Sequence, residues 1–344
     1  MTDTQTENTI ALVQALNDLT AHHRDHCQLY ASYVDSMFGQ GNVASLAEIP
    51  YLPVRAFKNF DLKSIPDDDV FKIMTSSGTS GQVSRIYLDK NTAQLQSKKL
   101  VEIFGQSFSK SRFPMLVIDA GSTVADRRKF SARTAAINGF SLFSKGREFA
   151  LDDDLGLDID RITAFLEQNR NTRIFVFGFT SLIWQNLVQP LQRKNVKIDL
   201  SNAFILHGGG WKKLEDQKVS SAVFRDTIRE WTGCTAVHNY YGMVEQTGTI
   251  FMECEQGHLH AASESDVLIR DTVTMEVLDH GQEGLIQVFS AIQKSYPGHA
   301  VLTEDVGYTL DGANCTCGNK RTIVRINGRL KKAEIRGCSD AYHS

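Results

Sequence analysis

Apolar side chains recur at three- and four-residue steps across residues 9–38: Ile10, Val13, Leu16, Leu19, then Leu29, Tyr33, Val34 and Met37. That spacing matches the turn of an α-helix, so the segment reads as one or two amphipathic helices. Further on the pattern changes to short continuous apolar runs. FPMLVIDA (113–120), RIFVFGF (173–179) and AFILHG (203–208) each have the length of a buried strand and are bounded by turn residues. Helical stretches such as IDRITAFLEQN lie between them. Buried strands alternating with helices predict an α/β domain with largely parallel strands. After Tyr240 the texture shifts. SDVLIRD, MEVLDHG, GLIQVFS and RTIVRING read as short strands joined by turns, which predicts a more antiparallel, β-rich half. Pro50 and Pro53 in EIPYLPVRAF mark an extended entry into the core. The acidic run DDDLGLD (152–158) reads as a solvated loop or helix start.

Composition adds mainly exclusions. The 344 residues can bury one large core or two smaller ones. A content of 42% hydrophobic and 22% charged residues fits a folded soluble chain. The net charge of −3 favours neither a nucleic-acid nor an anionic-membrane partner. No apolar run approaches the roughly 20 residues that span a bilayer. The N-terminal MTDTQTENTI is too polar for a secretory signal, so a cytoplasmic location without membrane insertion is expected. In that setting the six cysteines (Cys27, Cys234, Cys254, Cys315, Cys317 and Cys338) point to metal binding or nucleophilic chemistry rather than disulfides.

The densest candidate chemistry is TSSGTSGQ (75–82), a hydroxyl- and glycine-rich loop between two apolar stretches. It has no Walker-type Gly-Lys-Ser/Thr. Glycine still allows several backbone N–H groups to converge on an anion, and Ser and Thr add donors. A plain structural turn has the same composition. Four more motifs follow in order: HGGGW (207–211), YYGMVEQTG (240–248), LTEDVG (302–307) and NGRLKKAEIRG (327–337). From about residue 45 onward the series resembles the adenylate-forming enzymes, such as acyl-CoA synthetases and phenylacetate-CoA ligases. It is most similar to the LuxE-type acyl-protein synthetases, the long-chain-fatty-acid–protein ligases of bacterial bioluminescence. IPYLPVRAFK, SSGTSGQVSRIYLD, HGGGWKK, YGMVEQTG, SYPGHAVLTEDVG and AEIRGCSD carry the likeness. Five ordered motifs make it specific where one alone would not.

The resemblance implies a large adenylate-forming domain at 49–328, with a β-rich subdomain at roughly 249–328. A helical segment (1–48) would pack on it, and a hinge and C-terminal arm (329–344) would follow. It implies ATP and Mg²⁺ as cofactors. Ser76, Ser77, Gly78, Thr79, Ser80 and Gly81 would wrap the β- and γ-phosphates. Gly208, Gly209 and Gly210 would offer a flat edge to the adenine, with Tyr241 and Gly242 near the base. Glu245 would bind Mg²⁺ beside the α-phosphate, Asp305 the ribose hydroxyls, and Arg329 the ribose or phosphate. The three glycines also fit a simple strand-to-helix turn, and acids such as Glu245 and Asp305 are commonly just solvated.

LuxE-type enzymes pass the acyl group to one of their own cysteines, for which Cys338 is the candidate. It lies six residues from the C-terminus, where chains are commonly mobile. Lys331, Lys332 and Arg336 would favour its thiolate, while Glu334 and Asp340 oppose it. An inert cysteine is the alternative. The superfamily's small C-terminal domain carries a catalytic lysine; the sequence ends at Ser344, so that domain is expected to be truncated or missing. Lys58, Arg85, Lys331 and Lys332 are equal candidates for its charge. The implied partners are a small carboxylic acid and a protein such as an acyl reductase or acyl donor enzyme. An acyl-CoA or acyl-carrier ligase and a non-catalytic nucleotide-binding subunit are the rival readings.

Cys254 in MECEQGHLH and Cys315–Cys317 in NCTCG suggest a structural zinc site, or else buried free thiols. A similar pattern in phenylacetate-CoA ligase relatives favours Cys254, His260, Cys315 and Cys317 over a set with His258. His22, His23 and His26 read as a surface cluster on the N-terminal helix, and His299 as lining the nucleotide site.

Overall fold

The computed structural model describes residues 3–76, 83–125, 131–211 and 216–330. The helices are α1 (Asp3–His26), α2 (Gln28–Met37), α3 (Ala56–Asn59), α4 (Lys90–Ser107), α5 (Ala132–Phe140), α6 (Ile159–Gln168), α7 (Thr180–Leu182), α8 (Gln189–Lys194) and α9 (Ser221–Thr232). A π-helical turn, Ile183–Val188, joins α7 to α8. The strands are β1 (Leu52–Pro53), β2 (Lys72–Thr75), β3 (Arg85–Leu88), β4 (Phe113–Ala120), β5 (Ser144–Leu151), β6 (Ile174–Phe179) and β7 (Ala203–Gly208). They continue with β8 (Ala236–Tyr241), β9 (Phe251–Glu253), β10 (Leu259–His260), β11 (Ser265–Arg270), β12 (Gly284–Ser290), β13 (Ala300–Leu310) and β14 (Ile323–Arg329).

Twelve of these strands form one sheet in the order β11-β12-β13-β14-β10-β9-β8-β7-β6-β4-β5, with β1 added to β13. From β5 to β8 every pairing is parallel. From β8 to β11 every pairing is antiparallel. Strands β2 and β3 form a separate antiparallel hairpin.

The parallel half explains the continuous apolar runs. Met115, Val117, Phe175, Phe177, Phe204 and Leu206 point to one face, against α4 and α5. Leu116, Ile118, Ile174, Val176 and Ile205 point to the other, against α6, α9 and the π-turn. Both faces are covered, so these strands are apolar along nearly their whole length, with Asp119 and His207 near the ends of β4 and β7 as buried polar exceptions. Strand β5 lies at the open edge. Its SKGREFAL sequence is half polar, which is why it carries no apolar-run signal.

MEVLDHG is not a strand. It contributes one isolated bridge, Arg270–Val277. The Asp271 carboxylate accepts the N–H groups of Val273 and Thr274 at 2.8 Å and bends the chain there, and Met275 adopts φ 62°. Helix α1 buries Leu12, Val13, Leu16 and Leu19, and Phe289 and Ala300 of the sheet pack against its first three. His23 lies four residues after Leu19 and continues that stripe. It is fully buried, so the expected surface cluster of histidines is corrected at this position. Its Nδ1 meets Ser64 Oγ at 2.7 Å and its Nε2 meets the Gln293 carbonyl at 2.9 Å.

Candidate active site

Five segments meet along one side of the sheet. The first is the β2–β3 hairpin. The Ser76 N–H donates to the Ser84 carbonyl (3.2 Å) and the Ser84 N–H to Ser76 Oγ (2.9 Å), so the hydroxyl loop leaves and returns at one point. Ser77, Gly78, Thr79, Ser80 and Gly81 lie outside the described residues, as do Lys331, Lys332 and Cys338.

The second segment is the end of β7. A Cβ on Gly208 would stand 2.5 Å from the Tyr240 ring, and one on Gly209 2.5 Å from the Phe179 ring. Gly210 has φ +62° and open space where a side chain would be. Packing therefore demands the first two glycines, and backbone conformation the third. Thr180 Oγ1 donates to the Gly208 carbonyl at 3.0 Å and faces His207 Nδ1 at 2.9 Å. Since the hydroxyl proton is committed to the carbonyl, Nδ1 carries the imidazole proton in this arrangement. Burial, helped by the Arg225 and His238 charges, lowers the His207 pKa to about 3 and keeps the ring neutral.

The third segment follows β8. Tyr241 donates its hydroxyl to Asp305 Oδ2 at 2.8 Å. Burial and the Asp305 charge both hold that phenol protonated. A Cβ on Gly242 would stand 2.8 Å from Ile250 Cγ2, so close packing accounts for this glycine. Glu245 sits on the turn Val244–Gln246 and is only 5% exposed. Burial raises its carboxyl pKa, while Ser84, its own backbone, and the charges of Lys58 and Arg329 pull it down. The fourth and fifth segments are neighbours in the ladder, where Asp305 of β13 pairs with Arg329 of β14. Arg329 Nε donates to Asp305 Oδ1 at 3.3 Å. Ser76, Gly208, Tyr241, Glu245, Asp305 and Arg329 thus belong to one contiguous site. The hydroxyl loop is anchored beside the acid, not across the molecule from it.

The family description "Acyl-protein synthetase, LuxE" matches residues 3–344. The chain belongs to this family. Two relatives are long-chain-fatty-acid–luciferin-component ligases. The one from Vibrio harveyi is 26% identical over 350 residues, covering 97% of this chain and 87% of the relative. The one from Aliivibrio fischeri is 23% identical over 294 residues, covering 83% and 75%. Among solved structures, an open 2-hydroxyisobutyryl-CoA ligase in complex with 2-HIB-AMP and CoA superposes with a TM-score of 0.73 at 13% identity, over 95% of this chain and 71% of that one. ATP-bound MatB from Rhodopseudomonas palustris gives 0.51 at 17% identity, over 77% and 49%. These likenesses establish the adenylate-forming fold, and family membership makes the protein an ATP-dependent ligase. No helix among the described residues is long and apolar enough to cross a membrane.

The chain also carries the cysteine–histidine cluster. Cys254, His258, His260 and Cys315 present ligand atoms within 4.8 Å of one another. Cys315 Sγ lies 3.9 Å from Cys254 Sγ, 3.3 Å from Cys317 Sγ and 3.4 Å from His258 Nδ1. Cys317 Sγ lies 3.4 Å from His260 Nε2. The expected set of Cys254, His260, Cys315 and Cys317 is brought together, and His258 joins it as a fifth donor. His260 Nδ1 meets the Arg321 carbonyl at 3.1 Å, which leaves Nε2 for the cluster. Thiolates with imidazoles suit a tetrahedral Zn²⁺.

His299 does not line the nucleotide side. It is buried behind it, with Nε2 3.0 Å from Thr20 Oγ1 of α1 and 3.3 Å from the Tyr30 hydroxyl of α2. Sequence reasoning also missed the support under Glu245. The Tyr296 hydroxyl lies 2.9 Å from the Glu245 carbonyl and 3.0 Å from Gln293 Oε1, which also accepts from Gln96 Nε2 at 2.9 Å. A Cβ on Gly298 would stand 2.6 Å from the Glu245 carbonyl oxygen. The only signal was the clustering of Ser, Tyr, Pro, Gly and His in SYPGH.

Proposed function

We propose that the protein activates a fatty or similar carboxylic acid as an acyl-adenylate, then moves the acyl group to Cys338 as a thioester for delivery to a partner such as an acyl reductase. The observation that carries this reading is the burial of Glu245 beside the anchored ends of the hydroxyl loop, next to the Tyr241–Asp305–Arg329 chain. Family membership over residues 3–344 supports it, as do the names of the relatives.

In the first step a carboxylate oxygen bonds to the α-phosphorus as the bond from that phosphorus to the bridging oxygen breaks. Pyrophosphate leaves with the electron pair, and no proton moves. The hydroxyl loop, with Ser76 at its base, holds the β- and γ-phosphates. Asp305 accepts from the ribose hydroxyls, oriented by Tyr241 and Arg329. Gly208–Gly210 present backbone to the adenine. A buried carboxylate whose charge is disfavoured by burial suits a hard cation, and Glu245 would hold Mg²⁺ together with phosphate oxygens. The bound ion would neutralise charge building on the transferred phosphoryl group. In the second step the Cys338 thiolate bonds to the acyl carbon, and AMP departs with the electrons of the broken carbon–oxygen bond. Zn²⁺ at the Cys254/His260/Cys315/Cys317 cluster, with His258 as the spare donor, is structural in this reading and ties the β9–β10 turn to residues 315–317.

Intact mass after incubation with ATP, Mg²⁺ and a fatty acid tests the scheme. One acyl adduct is expected, removed by hydroxylamine and absent in Cys338→Ala. With coenzyme A added, accumulation of acyl-CoA with an unlabelled protein would favour a free-thiol ligase. No carboxylate-dependent pyrophosphate at all would leave only nucleotide binding.

A further inference from the structure

We propose that Lys58 is the catalytic cation of the adenylation step, placed by α3 where the carboxylate meets the α-phosphate. The inference rests on the acid-activation reading and names the residue that meets its electrostatic demand. Both reactants are anions, and negative charge grows on the α-phosphoryl and bridging oxygens as they meet. A fixed positive charge there is worth far more in the transition state than in the ground state.

Among the described residues, geometry points to Lys58. Helix α3 is pinned on three sides of the site. On one side the Val54 N–H donates to the Leu302 carbonyl at 2.9 Å and Arg55 pairs with Glu304, the residue before Asp305. On the second, fully buried Phe57 sets its ring 6.2 Å from Tyr296, whose hydroxyl lies 2.9 Å from the Glu245 carbonyl. On the third, α3 packs against β3, which leads out of the hydroxyl loop. Lys58 follows Phe57, is half-buried, and bonds to no acid among the described residues. Among the described residues the neighbouring arginines are engaged: Arg329 with Asp305, Arg85 with Asp61 and Arg55 with Glu304. The Lys58 charge is felt at the Glu245 carboxyl, which agrees with this placement. A compact ammonium on a flexible stem can follow the phosphoryl oxygens as the geometry changes. The ammonium acts only as a charge, so the step moves no proton.

The test uses the full chain as wild type, Lys58→Ala and Lys58→Arg. Three readings are taken: carboxylate-dependent pyrophosphate release, ATP binding by calorimetry, and acyl transfer from a supplied acyl-adenylate. Lys58→Ala should slow pyrophosphate release about 10²-fold or more, through kcat. ATP binding and transfer from the supplied adenylate should stay near wild type, and Lys58→Arg should recover part of the rate. Should Lys58→Ala not fold, Lys58→Gln replaces it, keeping most of the stem without the charge. Wild-type pyrophosphate release by the variant would overturn the assignment. So would an equal loss in both half-reactions, because that is the mark of a structural residue. A wild-type enzyme that releases no pyrophosphate with any carboxylate would instead overturn acid activation itself.

Discussion

The two halves of the sheet bury different mixtures of side chains. Around β4, β6 and β7 the interior is a wall of rings: Phe175 stacks on Phe204 at 5.0 Å, and Phe104 on Phe143 at 3.7 Å. Beside β12 and β13 the buried positions include Gln287, Ser290, Gln293, Ser295, Thr303 and Thr309. Apolar burial is strong but non-directional. Hydrogen bonds are individually modest but fix angle and distance. Both halves gain cohesion from apolar packing, the antiparallel one through Val267, Ile286, Val288 and Val301 among others, and its buried polar groups add aim. Glu245 lies where they join and takes its backbone support from the polar side.

The sharpest way to break this contrast is to remove a ring. Phe175→Ala should cost about 3–5 kcal/mol in denaturant unfolding; a loss under 1 kcal/mol would mean the wall is not what holds that half. Next comes Glu245→Gln, which should lower carboxylate-dependent pyrophosphate release about 10²–10³-fold with little change in unfolding midpoint. An unaltered Mg²⁺ dependence in that variant would remove Glu245 from metal binding. Tyr296→Phe should cost about 1–3 kcal/mol, since its partners stay buried. Its distinguishing effect is a raised Mg²⁺ requirement, read as a shifted midpoint in a Mg²⁺ titration. The last effect is nil at neutral pH and appears only in acid. Burial, with His22 nearby, lowers the His299 pKa from 6.5 to about 3. Above 6.5 both folded and unfolded forms are neutral, so nothing is gained or lost. Below it the unfolded chain binds the proton first, and stability falls by up to about 1.4 kcal/mol per pH unit until pH 3. His299→Gln should flatten that part of the acid-unfolding curve, and an unchanged slope would refute the prediction.

The same contrast decides what could be read from sequence. Strands covered on both faces announce themselves as predominantly apolar runs, so FPMLVIDA and AFILHG coincide with β4 and β7 to the residue. MEVLDHG has the right composition for a strand, but Asp271 turns the chain before a ladder forms. His23 was misjudged because its histidine neighbours drew attention away from the Leu12–Leu16–Leu19 stripe it extends. Tyr241, Glu245, Asp305 and Arg329 stand out in the sequence as candidates, because each lies within a short run of distinctive residue types. Those runs could not reveal that Tyr241 hands its hydroxyl to Asp305, or that Tyr296, 51 positions away, braces Glu245. Those relations depend on register and packing. So does Lys58, whose place is set by Val54, Arg55 and Phe57 rather than by anything beside it in a motif.

Strand β14 is no loose end. Its first residues lie between β13 and β10, and beyond Arg329 the Leu330 N–H still donates to the Glu304 carbonyl at 2.8 Å. Cys338 follows eight residues later. At about 3.3–3.6 Å per extended residue, its Cα can never stray more than roughly 29 Å from that moored point. Under the proposed scheme, whatever path residues 331–337 take, covalent length alone keeps the sulfur in the neighbourhood of Asp305, where a free thiol would have to arrive by diffusion.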